Sequence, residues 1–143
     1  MRREQVAEWV AAYERGWRAP GTGALAGLFT ADAVYRQGPY DEPVTGLPAI
    51  GRMWEAERDG PAEVFSMTSD VVAVDGDTAV VRAEVHYGDP VRQEYRDLWV
   101  IRFAGDGRCA SFEEWPFWPG QSYADPETGP GAGLEAGPAG PGR

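Results

Sequence analysis

Apolar residues open the chain at helical spacing. Val6, Val10, Tyr13 and Trp17 follow one another by four, three and four positions, with Trp9 beside them, while Arg3, Glu4, Glu8 and Glu14 fall elsewhere. This pattern predicts an amphipathic helix that Ala19-Pro20-Gly21 terminates. A short second helix is expected from about residue 23 to 29, burying Leu25, Leu28 and Phe29. The stretch from Asp32 to Gln37 then reads as a strand, which Gly38-Pro39 breaks before a turn-rich loop through Pro43 and Gly46. Pro48 suits the first turn of a third helix, where its missing N–H costs nothing. Ile50, Met53 and Trp54 mark the apolar face of that helix, and Asp59-Gly60-Pro61 closes it.

The remaining pattern is that of strands. Residues 63 to 74 are rich in β-branched and apolar residues, Asp75-Gly76 signals a hairpin, and residues 78 to 87 form the return strand. Gly88-Asp89-Pro90 turns the chain again, and residues 93 to 103 and 109 to 118, joined by Gly105-Asp106-Gly107, complete a meander. Helices first and antiparallel strands afterwards predict an α+β fold, with the helices lying on one face of a bent sheet. From Pro119 onward glycine and proline dominate, so residues 1–118 are expected to form the domain and 119–143 a disordered tail.

Composition narrows the function classes. The 143 residues suffice for one domain with a real core, since 43% are hydrophobic. A net charge of -10 argues against nucleic acid and against anionic lipid surfaces, both of which need a basic footprint. The start has no signal-peptide core and no run reaches spanning length, so a cytoplasmic protein is expected. The single cysteine, Cys109, precludes a disulfide within the chain, and with the single histidine, His86, it leaves too few ligands for a zinc cluster. Neither a phosphate-binding glycine loop nor a Ser-His-acid order is legible, so no cofactor is expected.

Leu28-Phe29-Thr30-Ala31-Asp32-Ala33, Tyr35, the proline-rich loop, Gly46 and Ala49-Ile50-Gly51 resemble the opening of the nuclear transport factor 2-like superfamily. Leu98-Trp99-Val100-Ile101-Arg102-Phe103, the Gly-Asp-Gly turn and Phe112-Glu113-Glu114-Trp115 resemble its last two strands. The superfamily includes ketosteroid isomerases, SnoaL-like polyketide cyclases and limonene epoxide hydrolases, and such a fold hosts many chemistries. The resemblance implies a cone-shaped half-barrel that encloses a pocket for a small apolar molecule, and a homodimer through the outer sheet face. Laid without gaps on the isomerase pattern, Gln37 takes the place of the base and Trp99 that of the oxyanion Asp, so that mechanism is not carried over intact. Asp41 and Glu42 lie just downstream, where a loop carboxylate is usually solvated. The epoxide hydrolase pattern fits better, with Arg82-x-Glu84, Glu114 and Tyr35-x-Gln37 at matching places, each acid and amide one methylene longer.

Period-2 geometry places Arg82, Glu84 and His86 on one strand face and Val81, Ala83, Val85 and Tyr87 on the other. Facing inward, Arg82, Glu84 and Glu114 would supply a base, an acid and a bridging cation. Facing outward, the same residues form a solvated strand paired across to Arg96 or Arg102. Arg96-Asp97 reads as a surface pair. Tyr13, Trp17, Trp54, Trp99 and Trp115 are candidates for the pocket lining. Two function classes stay open: an acid/base enzyme of the epoxide hydrolase, isomerase or cyclase type, and a non-catalytic ligand-binding or dimerising domain.

Overall fold

A computed structural model describes residues 1–60 and 62–121; Pro61 and most of the expected tail, residues 122–143, lie outside the described residues. The element order is α1 (Arg3–Arg18), α2 (Leu25–Leu28), β1 (Phe29–Arg36), β2 (Val44–Thr45), α3 (Leu47–Glu57), β3 (Phe65–Asp75), β4 (Thr78–Tyr87), β5 (Gln93–Phe103) and β6 (Cys109–Phe117). The six strands form one curved, open sheet in the order β2-β1-β6-β5-β4-β3, with the helices on its concave face. This is the expected α+β half-barrel. The sheet is antiparallel except where β1 runs parallel to β6.

The apolar stripe of α1 is the buried one: Val6, Trp9, Val10, Tyr13 and Trp17 all face the sheet. Gly76, at φ +61°, opens the tight β3–β4 turn in a conformation that L side chains rarely adopt. Strands β4 and β5 then run in register from Thr78↔Arg102 to Tyr87↔Gln93. That register sets Val81, Ala83, Val85 and Tyr87 beside Trp99, Tyr95 and Ile101 on the inner face. β2 lies in the segment that the sequence pattern reads as loop, and it pairs only with Val34 and Tyr35 of β1.

Arg58 ties the helical layer together. Its guanidinium donates to the carbonyls of Ala19 and Gly21 at 2.7 Å each, where α1 runs out. It also pairs with Glu55, and its side chain is only 10% exposed. Hydrogen bonds from a charged donor contribute about 1.5–3 kcal/mol each, so Arg58→Ala is expected to cost about 2–4 kcal/mol. Thermal denaturation followed by circular dichroism checks this.

Candidate functional site

The inner face of the sheet carries polar groups amid aromatic rings. Tyr35 on β1 lies level with Phe112 on β6, so its side chain stands next to Glu114, two residues further along the same face. The Tyr35 hydroxyl donates to Glu114 Oε1 at 2.9 Å, and the Tyr13 and Tyr35 hydroxyls share a hydrogen bond of 2.7 Å. A helix residue is thus linked through a strand residue to a carboxylate, and Glu114 has no solvent exposure.

Asp97 on β5 is the second buried acid. It lies opposite Pro116, hence one diagonal step from Glu114 on the inner face, where Cα atoms are ~7–8 Å apart. The Trp99 indole N–H reaches Asp97 Oδ2 at 3.4 Å. Burial, and then the charge of Glu114, push the Tyr13 and Tyr35 hydroxyls well above the ordinary phenol range. Both therefore stay protonated as donors at neutral pH.

The predicted site residues divide between two faces. Tyr13, Tyr35 and Glu114 come together, and Trp17, Trp54 and Trp99 are buried around them. Gln37 stands just past the end of β1, half-buried. Arg82 and Glu84 do not join the site. Both lie on the outer face, where Arg82 pairs with Asp70 at 4.0 Å and Glu84 with Arg96 at 3.7 Å, while the alternating Val81, Ala83 and Val85 fill the inside. The inward reading of Arg82 and Glu84 is thereby corrected. Trp115 is likewise on the outside, 40% exposed with its N–H on Glu113. Its parity is opposite to that of the buried Phe112 and Glu114, so it lines no interior.

Asp97 is the residue the sequence reading missed by pairing it with Arg96 at the surface. The signal was present: Tyr95, Trp99, Ile101 and Phe103 share its parity, and all are buried. His86 also sits outside, 3.0 Å from Glu94. Cys109 is buried, and desolvation pushes its thiol up out of the reactive range.

The space between sheet and helices is occupied by side chains. Tyr13 packs 5.0 Å from Trp99, 5.2 Å from Trp54 and 5.5 Å from Phe112, ring centre to ring centre. At one end of the cone Trp17, Phe65, Tyr87, Tyr95 and Trp118 gather. Two surface depressions, of about 410 Å³ beside Ala12, Gly16 and Ala24 and about 280 Å³ beside Phe117 and Trp118, do not include Glu114 among their walls. Among the described residues no helix is long and apolar enough to cross a membrane.

Comparison with known proteins places this geometry in context. The family model described as SnoaL-like domain matches residues 6–112. No curated protein matches the chain. Among solved structures, a candidate polyketide cyclase (protein SMa1630) from Sinorhizobium meliloti is 27% identical, with a TM-score of 0.61, and the match covers 80% of this chain and 99% of that one. SalBIII, an epoxide hydrolase/cyclase-like enzyme of pyran ring formation in the polyether salinomycin, shares the fold at 16% identity and a TM-score of 0.65, covering 82% and 92% of the two chains. A protein with a ketosteroid isomerase-like fold from Catenulispora acidiphila, in complex with trimethylamine, is 20% identical with a TM-score of 0.58, covering 76% and 84%.

Proposed function

Because the chain belongs to the SnoaL-like domain family, we propose that it is a cofactor-independent acid/base enzyme acting on a small, largely apolar metabolite, of the epoxide hydrolase, isomerase or cyclase type. The observation that carries this reading is the buried Tyr13–Tyr35–Glu114 hydrogen-bond chain with Asp97 beside it. Two carboxyl groups in one dry interior favour one ionised and one protonated member. Glu114 takes the ionised role, because the Tyr35 hydroxyl donates to it. Asp97, which the Trp99 N–H reaches only at the longer distance of 3.4 Å, takes the protonated one.

On an epoxide the step balances as follows. Glu114 removes a proton from water, or from a hydroxyl of the substrate, as that oxygen attacks an epoxide carbon. The C–O bond of the ring breaks, and Asp97 delivers its proton to the departing oxygen. Water yields a vicinal diol; an internal hydroxyl yields a cyclic ether. Return of the proton from Glu114 to Asp97 restores the site. Support comes from the likeness to the Sinorhizobium meliloti protein and to the SalBIII fold. Entry is from the end where Trp17, Tyr87, Tyr95 and Trp118 gather, and it requires rings there to part. The test is turnover of a panel of terpenoid and polyether-type epoxides by the wild type and by Glu114→Gln, with native mass spectrometry for retained small molecules.

A second reading, a non-catalytic domain, is favoured by the complete burial of Tyr13, Trp54, Trp99 and Glu114. Absence of both turnover and retained ligand across the panel selects it.

Under either reading we propose a homodimer through the outer sheet face. Leu98, Val100, Trp115 and Phe117 are each 37–40% exposed there, and Leu98 pairs directly with Trp115. Adjacent exposed apolar side chains of this kind mark association surfaces. Trp115→Glu is expected to convert the dimer to a folded monomer, read by light scattering after size exclusion; an unchanged mass removes this interface.

A further inference from the structure

We propose that the indole N–H of Trp54 is a recognition group that donates to an oxygen acceptor, a carbonyl or ether, on the molecule that enters the cone. The inference rests on the ligand-binding reading above and adds the substrate class: an apolar molecule that carries a second oxygen function besides the one processed at Glu114.

Four other indoles in the chain satisfy their donors. Trp9 donates to the Leu28 carbonyl at 2.9 Å, Trp115 to Glu113 at 2.8 Å, Trp99 to Asp97 at 3.4 Å and Trp17 to Glu63 at 3.5 Å. Trp54, on α3, has no solvent exposure, and its Nε1 finds no acceptor among the described residues. A buried donor left unpaired forfeits its hydration without compensation, so buried N–H groups almost always have a partner. A phenylalanine at this inward position would fill much of the same space with no donor to satisfy.

The placement of the ring gives the donor a use. Its six-membered edge faces α1, since a Cβ on Gly16 would stand 3.7 Å from Trp54 Cζ3. The opposite edge, which bears the N–H, therefore points away from that part of α1. The ring sits edge-on to Tyr13 at 5.2 Å, and the Tyr13 hydroxyl begins the hydrogen-bond chain to Glu114. Trp17 and Phe112 stack on Tyr13, so a molecule reaches it only where these rings part, and there it would meet two polar stations, the Tyr35–Glu114 end and the Trp54 N–H, across an aromatic surface. Two stations orient a ligand where one would only hold it. They also discriminate, because a site built to donate rejects the analogue that lacks the acceptor.

The experiment follows the six indole N–H resonances of protein labelled with nitrogen-15 in tryptophan, the Trp54 signal being assigned from its loss in Trp54→Phe. Cyclohexanone and its carbon isostere methylenecyclohexane are titrated separately. The expected result is a downfield shift of the Trp54 resonance with the ketone only, and binding about tenfold tighter for the ketone than for the isostere. In Trp54→Phe, whose fold is checked by circular dichroism, that ratio falls to about one. A Trp54 resonance that does not move, or moves equally with both probes, overturns the proposal. So does a nuclear Overhauser contact from the Trp54 N–H to a bound water that persists when the ketone is added, since the acceptor is then structural. Turnover is measured in parallel: a ketone-specific shift without epoxide turnover leaves the donor assignment standing and removes the acid/base reading alone.

Discussion

Glu114→Gln is expected to keep the fold and to lose turnover by at least ~100-fold, the lower end of what a positioned general base contributes. Glutamine has the same shape and retains an acceptor oxygen for the Tyr35 hydroxyl, so the hydrogen bond that links β1 to β6 can persist. What it cannot do is accept a proton from the attacking oxygen. The loss is expected in kcat, with KM little changed, because the missing interaction belongs to the transition state. Thermal stability is expected to rise, since the substitution replaces a fully buried acid with a neutral amide. A drop in activity joined to a gain in stability distinguishes a functional acid from a structural one. Unchanged kcat would remove Glu114 from the reaction. Tyr35→Phe is expected to have a smaller effect, as it deletes the donor that favours the ionised carboxylate but leaves the carboxylate in place.

The fold was legible because its signals are local. Strands β4 and β5 combine strict alternation with turn residues at both ends, and their bounds follow from the pattern. The two-residue strand β2 has no such signal; Val44 and Thr45 pair with β1 because the chain before α3 must pass along that edge. The site was half legible. Alternation tells which residues share a face, but the face itself is chosen by whichever set excludes water better. For β4 that set is Val81, Ala83, Val85 and Tyr87, which sends Arg82 and Glu84 outward. The same rule, applied to Tyr95, Trp99, Ile101 and Phe103, would have brought Asp97 inside. An acid among aromatics of its own parity is thus a stronger signal than an acid near an arginine in sequence. Glu113 and Glu114 illustrate the point: adjacency guarantees one inward acid, and only Phe112, two residues before Glu114, says which.

The buried hydroxyls make a second large effect predictable, an abrupt loss of the fold in alkali. Tyr13, Tyr35 and Tyr87 all have phenol groups pushed up chiefly by burial, reinforced by Glu114 for the first two and by Glu63 for Tyr87. In the unfolded chain a tyrosine ionises near pH ~10. Above that value the unfolded chain releases protons that the folded chain still holds, so stability falls as pH rises, and below it these groups contribute no pH dependence. Each such tyrosine contributes a slope of up to about 1.4 kcal/mol per pH unit, and three together about 4 kcal/mol. A domain of ordinary stability, about 5–15 kcal/mol, is then exhausted within a few units above pH 10. Tyrosinate absorbance from these three residues should therefore appear together with the loss of the circular dichroism signal, in one cooperative transition. Tyr35→Phe should lower the number of protons released in that transition by one and make it less steep. Three tyrosinates appearing while the sheet signal stays intact would mean that these hydroxyls have a path to water, and with it that the interior around Glu114 opens far more readily than its packing implies.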